Sequence, residues 1–318
     1  MQGLVEAAAS IKKAKHIAIS GHINPDGDSI GSMLALGLGL RRLGKRVYMV
    51  SHDGVPERYR RLPGAGRIIK NLQAPIDLAI AVDCGSKEML GKTFSSFKRA
   101  SGILEIDHHD FRRPFGTISI IDKKAAAVGE IIFVLLGKLG IDITKPVAQN
   151  LMTSIIVETS SFMLPNTRPF TFEVCTDLIH KGVDFYKLVN MVFWSKHRAA
   201  AILSGVCLSR CRFMKGGRLV WSIVGMSDFK AAKAKSEDVD PVPDEMRSID
   251  SVKIAVLFRQ TDSGTLRVSL RSKGRINVAE IAEHYNGGGH FDVAGCNIKN
   301  DPETIREFLN RTGRILDR

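Results

Sequence analysis

The stretch HIAISGHINPDGDSIGSMLALGLGLRRLG, residues 16–44, reads as a strand, a polar loop and a helix in a single pass. HIAIS (16–20) is a short apolar run stopped by Gly21, and the segment from about Ser29 to Leu43 has helical length before Gly44 closes it. Outward from this unit, RVYMV (46–50), DLAIAV (77–82) and GILEID (102–107) are further apolar runs of strand length, each followed by polar residues or glycine. Their apolar character is continuous rather than alternating, which suits strands buried on both faces. The expected fold class is therefore α/β, with an N-terminal parallel sheet carrying helices on both faces. From about Ala126 to Lys196 the pattern turns helical, punctuated by Gly140, Pro146, Pro165 and Gly182.

The second half reads differently. CLSRCRFM and RLVWSIVG flank Lys215-Gly216-Gly217 as a hairpin, and a polar stretch with prolines runs from Lys233 to Asp244. Strands near 252–259 and 265–271, joined at Thr261-Asp262-Ser263-Gly264, precede a helix near 277–284, glycines at 287–289 and a helix near 302–311. These elements predict a smaller α/β C-terminal domain. The expected division is a catalytic domain over 1–185, a helical connector over 186–205 and a substrate-binding domain over 206–318.

The chain has 318 residues, 44% hydrophobic and 25% charged, which is ordinary for a globular protein of two domains. The 46 Lys and Arg exceed the 33 Asp and Glu by +13, so an anionic partner such as nucleotide phosphate or RNA is favoured. Aromatic residues make up only 7%, which argues against a long stacking platform for single strands. Five cysteines, an odd count without a CxxC pair, point to reduced thiols. The N-terminal segment lacks the apolar core of a secretion signal, and runs such as Ile131 to Leu136 are too short for a membrane span. A soluble, cytoplasmic protein is the expectation.

Ligands of an α/β sheet gather at the C-terminal ends of its strands. Three such ends carry metal-type side chains: His22, Asp26 and Asp28 after HIAIS, Asp83 after DLAIAV, and Asp107-His108-His109 at the end of GILEI. Asp-Gly-Asp-Ser by itself is a common turn that begins a helix, with Ser29 the expected cap. Three such groups at strand ends of one sheet are a different matter. Carboxylates so close together repel unless divalent ions neutralise them, and a carboxylate–imidazole set suits manganese, magnesium or iron better than a thiophilic metal.

HINPDGDSIGS, the strand-end Asp83 and IDHH resemble, in order and spacing, the first three motifs of the DHH phosphoesterases. Asn286-Gly287-Gly288-Gly289-His290, followed by Ala294-Gly295, resembles the glycine-rich signature of the domain attached to many of them. The resemblance implies two divalent ions, Mn2+ with Mg2+ or Co2+ as alternatives. His22, Asp26 and Asp83 would hold one, and Asp28, Asp83 and His108 the other. Asp107 would orient its neighbours, and His109 would face the substrate phosphate. The family's fourth motif brings one more aspartate at a helix end. Here Glu158 stands in that place and Ser160 replaces a glycine, which puts that ligand in doubt. Gly287, Gly288, Gly289, His290, Arg271 and Ser272 would bind substrate.

The resemblance points to a hydrolase acting on short oligoribonucleotides, on pAp, or on both, and it leaves a homodimer open. A cyclic-dinucleotide phosphodiesterase would share every motif. A nucleotide- or RNA-binding protein that has lost turnover is the alternative of another class, and the position of Glu158 separates it from the enzyme.

Overall fold

The apolar runs of the first half become one all-parallel sheet. A computed structural model describes residues 3–109, 112–261, 264–289 and 291–317, and the chain divides into two compact units, Met1–Ser195 and Lys196–Arg318. The strands of the first unit are β1 (His16–Ser20), β2 (Arg46–Val50), β3 (Ile68–Ile69), β4 (Leu78–Val82), β5 (Gly102–Asp107) and β6 (Ile118–Ile121), in spatial order β3-β2-β1-β4-β5-β6. The chain lays β2 and β3 to one side of β1 and then returns to build β4, β5 and β6 on the other. The order therefore reverses between β1 and β4, and a crevice opens at their C-terminal ends.

Successive residues of a strand face opposite ways, and here the two faces differ in bulk. Ile17, Ile19, Val47, Met49, Leu78, Ile80, Leu104 and Ile106 pack in one large core. That core also takes residues of α1 (Leu4–Lys13), α2 (Gly27–Arg41), α4 (Val128–Lys138) and α5 (Lys145–Glu158). Ala18, Ala79 and Ala81 point the other way, toward Leu72, Ile76, Leu90 and Phe97. That side is covered by a 3-10 segment, Lys87–Thr93, and the short α3 (Phe94–Phe97). Helices thus lie on both faces, as expected, but the alanine face takes only short turns. Helices α6 (Pro169–His180) and α7 (Phe185–Phe193) complete the unit. Of these elements, α1, β3 and β6 were not legible as such in the sequence.

The second unit opens on α8 (Arg198–Ser209), so the CLS of CLSRCRFM ends a helix rather than starting a strand. Strands β7 (Arg212–Met214), β8 (Leu219–Val224), β9 (Ile254–Gln260), β10 (Thr265–Ser272), β11 (Gly288–Gly289) and β12 (Val293–Lys299) form a mixed sheet in the order β11-β12-β10-β9-β8-β7. Among the described residues of this sheet, only β8 and β9 pair in parallel. The hairpin at Lys215-Gly216-Gly217 joins β7 to β8 as expected, with all three residues at positive φ. After α9 (Met226–Ala232), the polar stretch with prolines holds a 3-10 turn (Ser236–Val239) and the start of α10 (Val242–Arg247). One face packs Val256, Phe258, Val268 and Leu270 with residues of α11 (Ala279–His284) and α12 (Pro302–Arg314); the other packs Val220, Ala255 and Leu257 with α8 and α10. The Thr261–Gly264 turn falls partly outside the described residues. The cysteines are unpaired, and no described helix is long and apolar enough to cross a membrane.

One close approach carries the site. α2 lies against α5 at Gly31, where a Cβ would sit 2.5 Å from Asn150 O and 3.0 Å from Ser154 N. Only glycine allows the two backbones so near, and the approach brings Ser154 Oγ within 2.6 Å of Asp28 Oδ1. Gly31→Ala is therefore expected to cost about 1–3 kcal/mol by overpacking. Urea unfolding of the first unit would read it, and a loss below about 0.5 kcal/mol would show that the helices can part at no cost.

Candidate metal centre

The crevice between β1 and β4 is where the chemistry-bearing loops meet. Leaving β1, the chain places His22 with its Nδ1 2.7 Å from the Ile23 carbonyl. The next residues are pinned from two sides: Ile23 N donates to Met89 O at 2.7 Å and Asn24 N to Asp53 Oδ2 at 2.6 Å. Asn24 sits at φ 51°, in the left-handed region that Asn and Asp tolerate best. Asp53 was not singled out in the sequence, because its role is to hold a backbone N–H of another loop. Helix α2 begins at Gly27, and its cap is Asp26, whose carboxylate accepts from Ser29 N at 2.9 Å. Ser29, the expected cap, is buried with no partner for its hydroxyl.

Asp83 follows β4 directly at φ 55°, and Asp107 ends β5. His22 Nε2 lies 3.7 Å from Asp26 Oδ1 and 3.4 Å from Asp83 Oδ2. His108 Nε2 lies 3.7 Å from Asp28 Oδ2, 3.9 Å from Asp83 Oδ1 and 3.9 Å from Glu158 Oε1. Three groups of ligand-type atoms result: His22, Asp26 and Asp83; Asp28, His108 and Glu158; Asp83, His108 and His109. Asp83 belongs to the first and third and His108 to the second and third, so the clusters are linked through these two residues.

The donor set fits divalent cations. His108 Nδ1 is 3.0 Å from Ala125 O, and His22 Nδ1 faces Ile23 O, so in each ring Nδ1–H donates to a carbonyl. In the neutral ring that tautomer leaves the Nε2 lone pair aimed at carboxylate oxygens. Lone pairs facing lone pairs at 3.4–3.9 Å are too far apart for hydrogen bonds. A cation between them makes every member favourable.

The electrostatics without a metal have the same meaning. Burial opposes charging His22, yet Asp26 and Asp83 outweigh it and hold its pKa well above the usual value. Burial also opposes charging Asp26, but His22 and the N–H groups at the start of α2 hold it well below the carboxylate range. Asp28 is pushed up to about 7, first by burial and then by the charge of Asp83. Its carboxylate accepts from Ser32 Oγ, Ser154 Oγ and Val128 N, so its position is fixed even though its charge is costly.

Asp107 works one step back from the cluster. Its Oδ1 accepts from His108 N and, at 2.6 Å, from His109 Nδ1. Its Oδ2 accepts from Arg112 Nε at 2.7 Å, and Arg112 Nη2 donates onward to Glu105 at 2.9 Å. Burial would raise Asp107, but His109 and Arg112 hold it well below the usual range, while His109 is raised to about 9 against its own burial. Glu105 and Arg112 escaped the sequence reading because neither lies at a strand end.

Glu158, the last residue of α5, turns its carboxylate into the cluster. The following turn holds Ser160, Ser161 and Phe162 all at positive φ, and Asn166 Nδ2 reaches back to Glu158 O at 3.1 Å. Serine at 160 therefore occupies a conformation that suits glycine.

The second unit places its predicted residues unevenly. Gly288 and Gly289 form β11 against Gly295 and Ala294. A Cβ on Gly287 would lie 2.2 Å from Gly295 O, and one on Gly289, at φ 151°, would lie 2.3 Å from Val293 O, whereas Gly288 faces open space. Arg271 Nε lies 3.1 and 3.2 Å from the two oxygens of Asp244, so an anion there competes with an existing partner. Ser272 departs from its expected place at a ligand. It is buried, and its hydroxyl donates to Ile276 O, closing the end of β10. His290 lies outside the described residues.

A model of the DHH family, N-terminal domain, matches residues 16–155, and one of the DHHA1 domain matches residues 220–317. The chain carries a DHH domain followed by a DHHA1 domain. A Thermus thermophilus protein named bifunctional oligoribonuclease and PAP phosphatase NrnA is 29% identical over 311 residues, spanning 94% of this chain and 92% of the relative. An exopolyphosphatase-related protein from Bacteroides fragilis has the same fold, with a TM-score of 0.90 at 22% identity over 99% of this chain and 95% of that one. RecJ from Thermus thermophilus in complex with Mn2+ matches at a TM-score of 0.61 and 14% identity, over 100% of this chain and 55% of RecJ. At such identities these two structures bear on the fold alone.

A pH dependence follows from the shifted groups. For Asp28, His22 and His109 the folded pKa lies above the unfolded value, so their stabilising contribution is present at low pH and lost as pH rises through the folded value. For Asp28 that window runs from about 4 to about 7. The depressed Asp26 and Asp107 act in the opposite sense, contributing above about 4 and losing that contribution only as pH falls below it. Between pH 5.5 and 8 the metal-free protein should lose stability, and a bound cation, replacing protons, should restore it. The rise in melting temperature on adding manganese after chelation should be larger at pH 8 than at pH 5.5; equal rises would contradict the reading.

Proposed function

We propose that this chain is a two-metal phosphoesterase that hydrolyses short oligoribonucleotides, pAp or both. The observation that carries it is Glu158, whose carboxylate stands with Asp28 around His108 Nε2. A glutamate turned to solvent would have favoured a binding protein without turnover. The name of the Thermus thermophilus relative supports the substrate class, and the net charge of +13 agrees with it.

His22, Asp26 and Asp83 would hold one ion, and Asp28, Asp83, His108 and Glu158 the other. Manganese is the favoured metal, magnesium and cobalt the alternatives. Two such ions would supply an activated water and neutralise charge on the phosphoryl oxygens. The chain's own residues do the rest. His109, its Nδ1 anchored on Asp107, presents Nε2 to a phosphoryl oxygen. Asp107 fixes the ring. Ser32, Ser154 and Val128 N keep Asp28 in place against repulsion from Asp83. The exposed Gly288 and the Arg271–Asp244 pair are the substrate-facing groups of the DHHA1 unit.

Purified protein with manganese, beside an Asp107→Ala/His108→Ala control, would be given pAp, a labelled RNA trimer, a labelled 24-mer and cyclic di-AMP. Mononucleotides from the trimer and AMP from pAp, absent in the control, are expected. Preferential opening of cyclic di-AMP would move the substrate to cyclic dinucleotides, and no turnover with manganese, magnesium or cobalt would sink the enzyme reading. Glu158→Gln should lower kcat at least about 100-fold, whereas Glu158→Asp should stay within about tenfold.

A further inference from the structure

Two segments that leave the metal centre meet again beside it. Together they line an open pocket of about 440 Å³ with Lys87, Glu88, Phe94, Arg113, Pro114 and Phe115, a size at which small-ligand sites are found. One wall starts four residues after Asp83, the other four residues after His109. Both are tied to the centre. Arg113 N donates to Gly85 O at 2.8 Å, and Met89 O accepts from Ile23 N at 2.7 Å. Phe115 N donates to Glu105 Oε1 at 3.3 Å, on the carboxylate that Arg112 links to Asp107. The pocket is therefore fixed to the elements that position His22, Asp83 and His109.

Its lining has two chemistries. Phe94 and Phe115 stand edge to face, with centroids 6.1 Å apart at 86°, and with Pro114 they make an apolar corner. Lys98 Nζ, 5.2 Å from the Phe94 ring centroid, adds a cation to that corner. Lys87 and Arg113 are exposed cations on the rim, and Glu88 offers an acceptor. A base stacks on such aromatic faces whatever its sequence. A phosphate suits arginine and lysine, and Glu88 would accept from a ribose hydroxyl or a base amine. Inorganic phosphate would leave the aromatic corner unused, and an acidic peptide has no need of it.

We propose that this pocket is a nucleoside-monophosphate subsite that holds the part of the substrate beyond the scissile phosphate. It rests on the phosphoesterase reading and deepens it, since it favours oligonucleotides over simple phosphate esters.

Photolabelling with 8-azido-AMP in the presence of chelator, followed by peptide mapping, tests it without turnover. The label should fall on peptides containing residues 86–98 or 112–123 and drop at least fivefold in Phe115→Ala and in Arg113→Glu. The second variant changes an exposed side chain and guards against misfolding of the first. With manganese, Arg113→Glu should raise KM for the RNA trimer about tenfold while kcat moves less than about twofold. Labelling only elsewhere in the chain, or labelling unchanged in Arg113→Glu, would overturn the subsite. If wild-type protein hydrolyses nothing yet labels at these peptides, the subsite stands and the phosphoesterase reading falls.

Discussion

Four carboxylates, Asp26, Asp28, Asp83 and Glu158, converge with His22 and His108 at the point where the sheet reverses its strand order. Without a cation this gathering costs the fold free energy, since like charges in a buried place repel and each is denied water. Much of the first unit is organised to impose it nonetheless. Gly31 lets α5 approach α2 so that Ser154 can hold Asp28. Asp53 and Met89 pin the backbone of the loop that carries His22. The left-handed turn at Asp83 and the run at 160–162 are local strain kept at the same place, as expected where surrounding structure over-determines a site.

The ring of His109 shows how a second layer extends that control. Asp107 accepts a hydrogen bond from its Nδ1, Arg112 balances Asp107, and Glu105 balances Arg112, all on or against β5. Glu105 and Asp107 are two apart on one strand and so share a face, where the buried guanidinium relieves their repulsion. The segment after Arg112 then turns outward to form the aromatic and cationic pocket, so one short stretch both braces the centre and offers a surface beside it.

Much of this was legible in the sequence where a residue acts through its own position. His22, Asp26, Asp28, Asp83, His108 and His109 could be read because strand ends are found from apolar runs and parallel sheets bind ligands there. Even the thin face of the sheet was visible in principle, since Ala18, Ala79 and Ala81 alternate with isoleucines or other large residues. Glu158 was placed by resemblance, and only the structure shows its direction. Other residues could not be read because they act at a distance in sequence. Asp53 supports a loop 29 residues earlier, and Asp244 meets Arg271 27 residues later. No local pattern encodes such pairings, which follow from how strands and helices pack. The cap of α2 was misassigned by a small margin, because Asp26 and Ser29 are both good capping residues and only the backbone decides between them.

The claim on which the rest depends is that these side chains hold two neighbouring divalent ions through a shared Asp83. Electron paramagnetic resonance of the chelated, manganese-titrated protein tests it directly. Two ions per chain with a spin-coupled signal, reduced to an uncoupled signal or none in Asp83→Ala, is the expected result. A single uncoupled ion in the wild-type protein, or coupling that survives Asp83→Ala, would contradict it.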